Sequence, residues 1–187
     1  MGSFFGRFFQ IATFGESHGP AVGVVVDGVP PGIEVDAAKI QRDLDRRRPG
    51  TSKFVSPRKE ADQVEILSGI VDGVTLGTAV ALLVRNKDVR SGDYSNIREL
   101  FRPGHADYTY FKKYGVRPQP GGGRSSGRET VGRVAAGAIA RTFLETHGIT
   151  IRSYTVRVGT VQAQKRNADF AEQHPLRRAD PDRSEER

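Results

Sequence analysis

"SGRETVGRVAAGAIARTFLETHG", residues 126–148, is the stretch on which the fold turns. Ser126 and Glu129 have the spacing of a capping box, in which a serine hydroxyl and a glutamate three residues on serve the free amides of a first helical turn. From there Val131, Val134, Ala135, Ala138, Ile139 and Thr142 recur at helical spacing and mark one buried face. Alanine and glycine are so frequent that neighbours can pack closely on both sides of this helix. Gly148 follows as the residue that ends it. His147, beside that end, suits the negative pole of the helix dipole and reads as structural.

Strands are expected on either side. Residues 4–14, FFGRFFQIATF, and 21–27, AVGVVVD, read as strands, the second so rich in valine that it should be buried. Between them "GESHG" forms a glycine-bounded turn, and VPPGI at 29–33 forms another. Asp36 caps a helix running to about Arg47, with Ile40 and Leu44 facing inward. Residues 63–71 and 78–84 read as strands, with Asp72-Gly73 as a hairpin signal. Residues 106–114 suit a short helix ended by Gly115, and 149–161, ITIRSYTVRVGTV, suits a strand. The stretch from Gln164 to Arg187 is charged and weakly patterned, with nothing specific expected of His174. Strands grouped before and after a central helix imply the α+β class, in one domain spanning 1–187.

The bulk chemistry narrows the function. The chain has 187 residues, 36% apolar and 27% charged, which suits a folded globular protein. It holds no apolar run near the ~20 residues that span a bilayer. With no cysteine, disulfides and thiolate metal sites are excluded, and no metal site is expected. A secretory leader is not apparent in MGSFFGRFFQ, and a cytoplasmic location is expected. The net charge of +7 calls for an anionic partner. Arginines and lysines cluster at 46–48, 53 and 58, and again at 102, 112, 113, 117, 124 and 128, mostly beside Gly, Pro, Ser or His. That is loop chemistry, not a basic helix face. The phenylalanines at 4, 5, 8 and 9 lie away from these loops. Nucleic-acid binding, which interleaves aromatic with basic residues, is therefore the weaker alternative, and neither nucleic acid nor membrane is an expected partner.

Three loops and one helix end carry the candidate chemistry. In "GESHG", 15–19, glycines bracket Ser17 and His18, leaving either an exposed turn histidine or a general acid–base group. His105 presents the same choice, with Pro103-Gly104 fixing a turn before it and Asp107 two residues on. "GGGRSS", 121–126, leads into the helix and offers amides, hydroxyls and Arg124 to a phosphate. It lacks the Gly-Lys-Ser/Thr of a nucleotide-binding P-loop. Arg46-Arg47-Arg48-Pro49-Gly50 closes the first helix and is either a solvated helix end or an arginine fork for carboxylate or phosphate.

Taken in order, "FGESHGPAVGVVVDGVPPG", "DLDRRRPGTSKF", "FRPGHADYTYFKKYG" and "GGGRSSGRETVGRVAAGAIA" resemble chorismate synthase. The likeness is strong from residue 10 to about 162 and continues through "HPLRRADPD". Gly127 stands where the family usually has alanine. The resemblance implies a sandwich with helices between antiparallel sheets, here incomplete, because the chain corresponds to the N-terminal half of the family sequence. It implies a lyase of the shikimate pathway, serving aromatic amino-acid biosynthesis. That enzyme eliminates phosphate from 5-enolpyruvylshikimate 3-phosphate by a 1,4-anti route, using reduced FMN, with NADPH as reductant in some members. A homotetramer is the family's usual assembly. By match to the motifs, His18 and His105 are catalytic, and Arg47, Lys53, Arg102 and Arg128 hold substrate. Arg124, Ser125 and Ser126, with Arg47 and Lys53, hold the flavin. The alternative within the same fold is a non-catalytic fragment that binds an anion or a flavin.

Overall fold

The computed structural model describes residues 2–50, 60–87, 100–117 and 120–183, which divide into two compact units, Met1–His147 and Gly148–Arg187. In the first unit the alternating valines of β3 (Ala21–Asp27) and the apolar run of β7 (Val80–Arg85) form the middle of a five-stranded antiparallel sheet. Its order is β1 (Phe4–Phe5), β2 (Gln10–Gly15), β3, β7, β4 (Val64–Ser68). The register sets Val22 opposite Val84, Val24 opposite Leu82 and Val26 opposite Val80. All six are almost completely buried on one face. Period-two alternation thus turns a valine run into half of a core.

The other half is helical. Helix α1 (Ala37–Arg47) starts where the Asp36 carboxylate accepts from the Ala38 amide (2.8 Å), and it buries Ile40 and Leu44. Each such side chain, fully buried, stabilises by roughly 1.5–3 kcal/mol. Helix α3 (Thr130–Glu145) lies over β2, β3 and β7 and against α1. Its expected face is buried at Val131, Ala135, Ala138, Ile139 and Thr142, with Val134 packed at the margin. The small residues between serve close approach. A β-carbon on Gly132 would stand 2.8 Å from the Gly23 carbonyl oxygen and 3.2 Å from Thr13 Cγ2. Lys39 to Glu145 (3.2 Å) and Arg141 to Asp43 tie α3 to α1 along its polar side.

The α+β expectation holds, and the arrangement is a helix layer on an antiparallel sheet. Four local readings are corrected. Residues 4–14 are not one strand. Gly6, at φ +99°, turns the chain back, so Phe4 pairs with Ala12 and Phe5 with Ile11. Residues 63–71 are likewise divided, by Gly69 at φ +80°, into β4 and the short β5 (Ile70–Val71). β5 then pairs with β6 (Val74–Thr75) across Asp72-Gly73, both at positive φ, as that dipeptide predicts. The capping box is only half formed. The Ser126 hydroxyl accepts from the Arg128 amide (3.3 Å), opening a single 3-10 turn before α3. Glu129 turns instead to Thr13 Oγ1 (2.6 Å) and Arg133. A buried hydroxyl and a guanidinium outbid one backbone amide for the carboxylate.

The fourth correction lies in the second unit. The expected strand 149–161 is reduced to β8 (Arg157–Val158) and β9 (Val161–Gln162), joined as a hairpin with exposed apolar side chains. An alternating sequence becomes a long strand only beside a long edge. Here Thr155 forms a single bridge to Arg178. The weakly patterned tail is more ordered than its composition suggests. Asn167 caps α4 (Ala168–Gln173), and the buried Asp180 carboxylate accepts from the amides of Gln164 (2.6 Å) and Lys165 (3.0 Å). His174, of which nothing was expected, stacks on Phe170 and accepts from Arg178 Nε (3.0 Å). Burial, then the Arg178 charge, holds its imidazole below the usual histidine range. His147 is structural, its ring against Phe143.

Candidate functional site

The expected helix through 106–114 is present as α2 (Asp107–Tyr114), ended by Gly115 at φ +72°. With it, the fold brings the three candidate loops to the sheet end at which β2 stops and β3 begins. The "GESHG" turn joins those two strands. The 3-10 turns of 120–129 lead into α3 beside it, and the "RPGHAD" turn precedes α2.

Around Arg128 the site is a buried ionic network. Arg128 is 5% exposed. Its Nη1 donates to Asp62 Oδ1 (2.7 Å), its Nη2 lies 3.9 Å from Glu60 Oε2, and its Nε donates to Asn86 Oδ1 (2.6 Å). Asp62 is fully buried and adopts φ +46°, while Arg47 Nη2 approaches its other oxygen at 3.6 Å. The triple arginine therefore splits by helical geometry. Arg47 turns in to Asp62, Arg46 turns along the surface to Asp43 (3.7 Å), and the Arg48 amide closes the helix on Leu44. Lys53 lies outside the described residues.

Asn86 connects this network to the histidine turn. Its Nδ2 donates to the carbonyls of Glu16 (2.9 Å) and Gly19 (2.6 Å), and its own amide donates to Pro20 (3.0 Å). Within the turn, Ser17 is buried and its hydroxyl lies 3.0 Å from His18 Nδ1. Burial raises the Glu16 carboxyl above the ordinary range, against the opposing charge of Arg124.

His105 is placed differently. It is exposed, on a turn closed by its amide on the Arg102 carbonyl (3.3 Å), with Gly104 at φ +74°. Its Nδ1 lies 3.1 Å from the Pro103 carbonyl. Arg102 grips Asp107 with two parallel bonds, 2.7 and 2.9 Å, and this holds the Asp107 carboxyl below its usual range. A β-carbon on Gly122 would stand 3.5 Å from Arg102 Nη2, so the glycine loop lies against this pair.

Arg124 does not reach outward. Its guanidinium donates to the carbonyls of Gly15 (3.0 Å) and Thr13 (2.9 Å), to Thr13 Oγ1 (2.7 Å) and to Ser3 Oγ (3.2 Å). With Ser125 it still borders an open cleft of about 570 Å³, flanked by Ala106, Tyr110, Lys113 and Tyr114. Ser125 is exposed there, and Ser126 is committed to the turn before α3.

Sequence reasoning missed Asp62, Glu60 and Asn86. No motif marks a lone asparagine after a strand. Asp62 and Glu60 draw attention only because "EAD" is polar immediately before an apolar strand.

The comparisons with known proteins point one way. The family model for chorismate synthase matches residues 9–187. A solved structure titled "Crystal Structure of Chorismate Synthase" superposes with a TM-score of 0.73 at 29% identity, covering 96% of this chain. This chain spans 51% of that one, about half its length.

Proposed function

Because the chain belongs to the chorismate synthase family, we propose that its site serves the elimination of phosphate from 5-enolpyruvylshikimate 3-phosphate to give chorismate. The observation that carries this reading is a histidine turn held beside a buried arginine–carboxylate network, at a sheet end where cationic loops converge. In the reaction the carbon–oxygen bond to phosphate breaks. Phosphate leaves with that electron pair, a ring proton on the opposite face passes to a base, and the pair left by that C–H bond enters the new double-bond system. His18 protonates the departing phosphate as a general acid, with Ser17 fixing its ring. Arg47, Lys53, Arg102 and Arg128 supply the positive field that a substrate with two carboxylates and a phosphate requires.

Reduced FMN fits the cleft at Arg124 and Ser125. Its volume lies within the ~300–1,000 Å³ of small-molecule sites. Tyr110 and Tyr114 offer flat apolar surfaces, and Lys113 and Arg133 offer cations for a phosphate. His105 immediately precedes Ala106 of its lining, and Ser126, Arg47 and Lys53 are assigned to the flavin by the family motifs that carry them. Reduced FMN, when bound, supplies an electron that is lent and recovered, without net redox change. NADPH as reductant, a homotetramer and a cytoplasmic location belong to the same proposal.

A second reading is favoured by one observation: Arg102, Arg124 and Arg128 direct donors to partners within the protein. It is a non-catalytic anion- or flavin-binding protein of this fold. Chorismate formation, measured anaerobically with reduced FMN and the phosphorylated substrate, separates the two. Flavin fluorescence is followed in parallel, with the chain alone and mixed with a polypeptide covering the other half of the solved relative. Chorismate formed by the chain alone or by the mixture supports the enzyme. Flavin quenching without chorismate leaves the binding protein, and neither signal overturns both.

A further inference from the structure

The Asn86 side chain makes three hydrogen bonds, two as donor and one as acceptor, and its orientation is fixed by its partners. Two carbonyl oxygens can only accept, so the nitrogen must face Glu16 and Gly19. Arg128 can only donate, so the oxygen must face Nε. The amide cannot flip without setting like groups against each other at both ends.

Its place in the sheet explains its reach. Asn86 follows the last residue of β7, and Arg85 is paired with Ala21, the first residue of β3. The next ladder bond, from the Asn86 amide to Pro20, brings its side chain under the turn that carries Ser17 and His18. Arg128, on its far side, is itself held by Asp62 and Glu60.

We propose that Asn86 is a positioning residue that transmits the rigidity of the buried Arg128 network to the His18 turn. Arg128 acts through it, as the anchor of the turn. His18 can hand a proton to one departing group only if its ring is held in one orientation. The Ser17 hydroxyl at Nδ1 fixes that orientation, and Asn86 holds the backbone on which both residues ride. The inference deepens the proposed role of His18, yet its test needs neither flavin nor substrate, so the two can fail separately.

The experiment uses the 187-residue chain with nitrogen-15-labelled histidine. In the unmodified chain the His18 ring nitrogens should report one fixed hydrogen-bonded state, with His105, whose Nδ1 faces the Pro103 carbonyl, as the reference that does not depend on Asn86. Asn86→Ala removes both donors and the acceptor. Asn86→Asp keeps shape and keeps an acceptor for Arg128, but it presents oxygen to two carbonyl oxygens. Both variants should move the His18 shifts to the free-imidazole average and leave His105 unchanged. Because Asn86→Asp keeps an acceptor for Arg128, loss of the His18 signal in that variant excludes simple satisfaction of Arg128 as the role of Asn86. Arg128→Lys, which has no Nε–H, should partly release the same signals. Where a variant fails to fold, the unmodified chain still decides. Both Asn86 side-chain amide protons should exchange with water at least ~10-fold more slowly than those of a free asparagine, since each bond must open first. Wild-type His18 shifts in folded Asn86→Asp, free-imidazole His18 shifts in the unmodified chain, or free-asparagine exchange at Asn86 would each overturn the proposal.

Discussion

The two histidine turns are built alike and held oppositely. Each has a glycine beside the histidine and a carboxyl two residues away, Glu16 before His18 and Asp107 after His105. At the first, burial leads and pushes the Glu16 carboxyl up. At the second, the Arg102 fork leads and pulls the Asp107 carboxyl down. His18 sits with a buried serine on a turn tied to Asn86, whereas His105 is exposed and held by its own short turn. One local pattern therefore makes two different tools. The proposed roles follow that difference: a proton donor to a departing anion profits from rigid placement, and a group beside a cofactor cleft can remain at the surface.

The widest separation between the turns is expected in turnover. In a preparation that releases phosphate from 5-enolpyruvylshikimate 3-phosphate, His18→Ala should slow that release by roughly 10²–10⁴-fold, the span of general acid catalysis. KM should stay nearly unchanged. Steady-state phosphate release checks it, and activity within a few-fold of wild type would remove His18 from the mechanism.

Stability should separate the turns next. Asp62→Ala strips the partner from Arg128 in a buried setting, at a cost of about 3–5 kcal/mol. Asp107→Ala breaks a two-bond pair whose Arg102 keeps more access to water, so its cost should be smaller, about 1–3 kcal/mol. Denaturant midpoints of the two variants measure the contrast. Equal losses would mean that the His18 turn is no more firmly anchored than the other.

The pH dependence should have opposite signs. The folded-state pKa of Asp107 is depressed, so its stabilisation is present above the ordinary value near 3.9 and is lost as pH falls through the folded value. The folded-state pKa of Glu16 is raised, so its contribution is full below the ordinary value near 4.3 and is lost as pH rises through the folded value. Asp107→Asn should therefore flatten the acid side of the stability profile. Glu16→Gln should flatten the region above pH ~4.3, with a gain of no more than ~0.5 kcal/mol at neutral pH. Urea titrations from pH 3 to 7 read both. Profiles that move in the same direction would refute the opposite causes.

The smallest effect is reserved for His105. Its replacement by alanine should change stability by less than ~0.5 kcal/mol, as at other exposed positions. A larger loss in thermal unfolding would show that the exposed turn carries structural load.

Local chemistry determined a good part of this protein. The Asp36 cap, Ile40 and Leu44 on α1, the Gly115 stop, the Asp72-Gly73 hairpin and the inward face of α3 all follow from backbone preferences and periodicity, which act within a few residues. So did the choice of His18, His105 and the arginine loops as candidates, because glycine-bracketed polar residues are visible one motif at a time. Tertiary structure decided what each of those groups does. It sent Glu129 to Thr13 instead of the Ser126 amide, folded the N-terminal strand back at Gly6, and split Arg46 from Arg47. It also joined Asn86 to Arg128, 42 positions away, and Arg128 to Asp62, 66 away. The reason is physical. A caps-and-periods reading sees only neighbours along the chain, whereas a buried charge takes whichever partner the fold brings within 3 Å, and the cost of leaving it unpaired makes that choice binding.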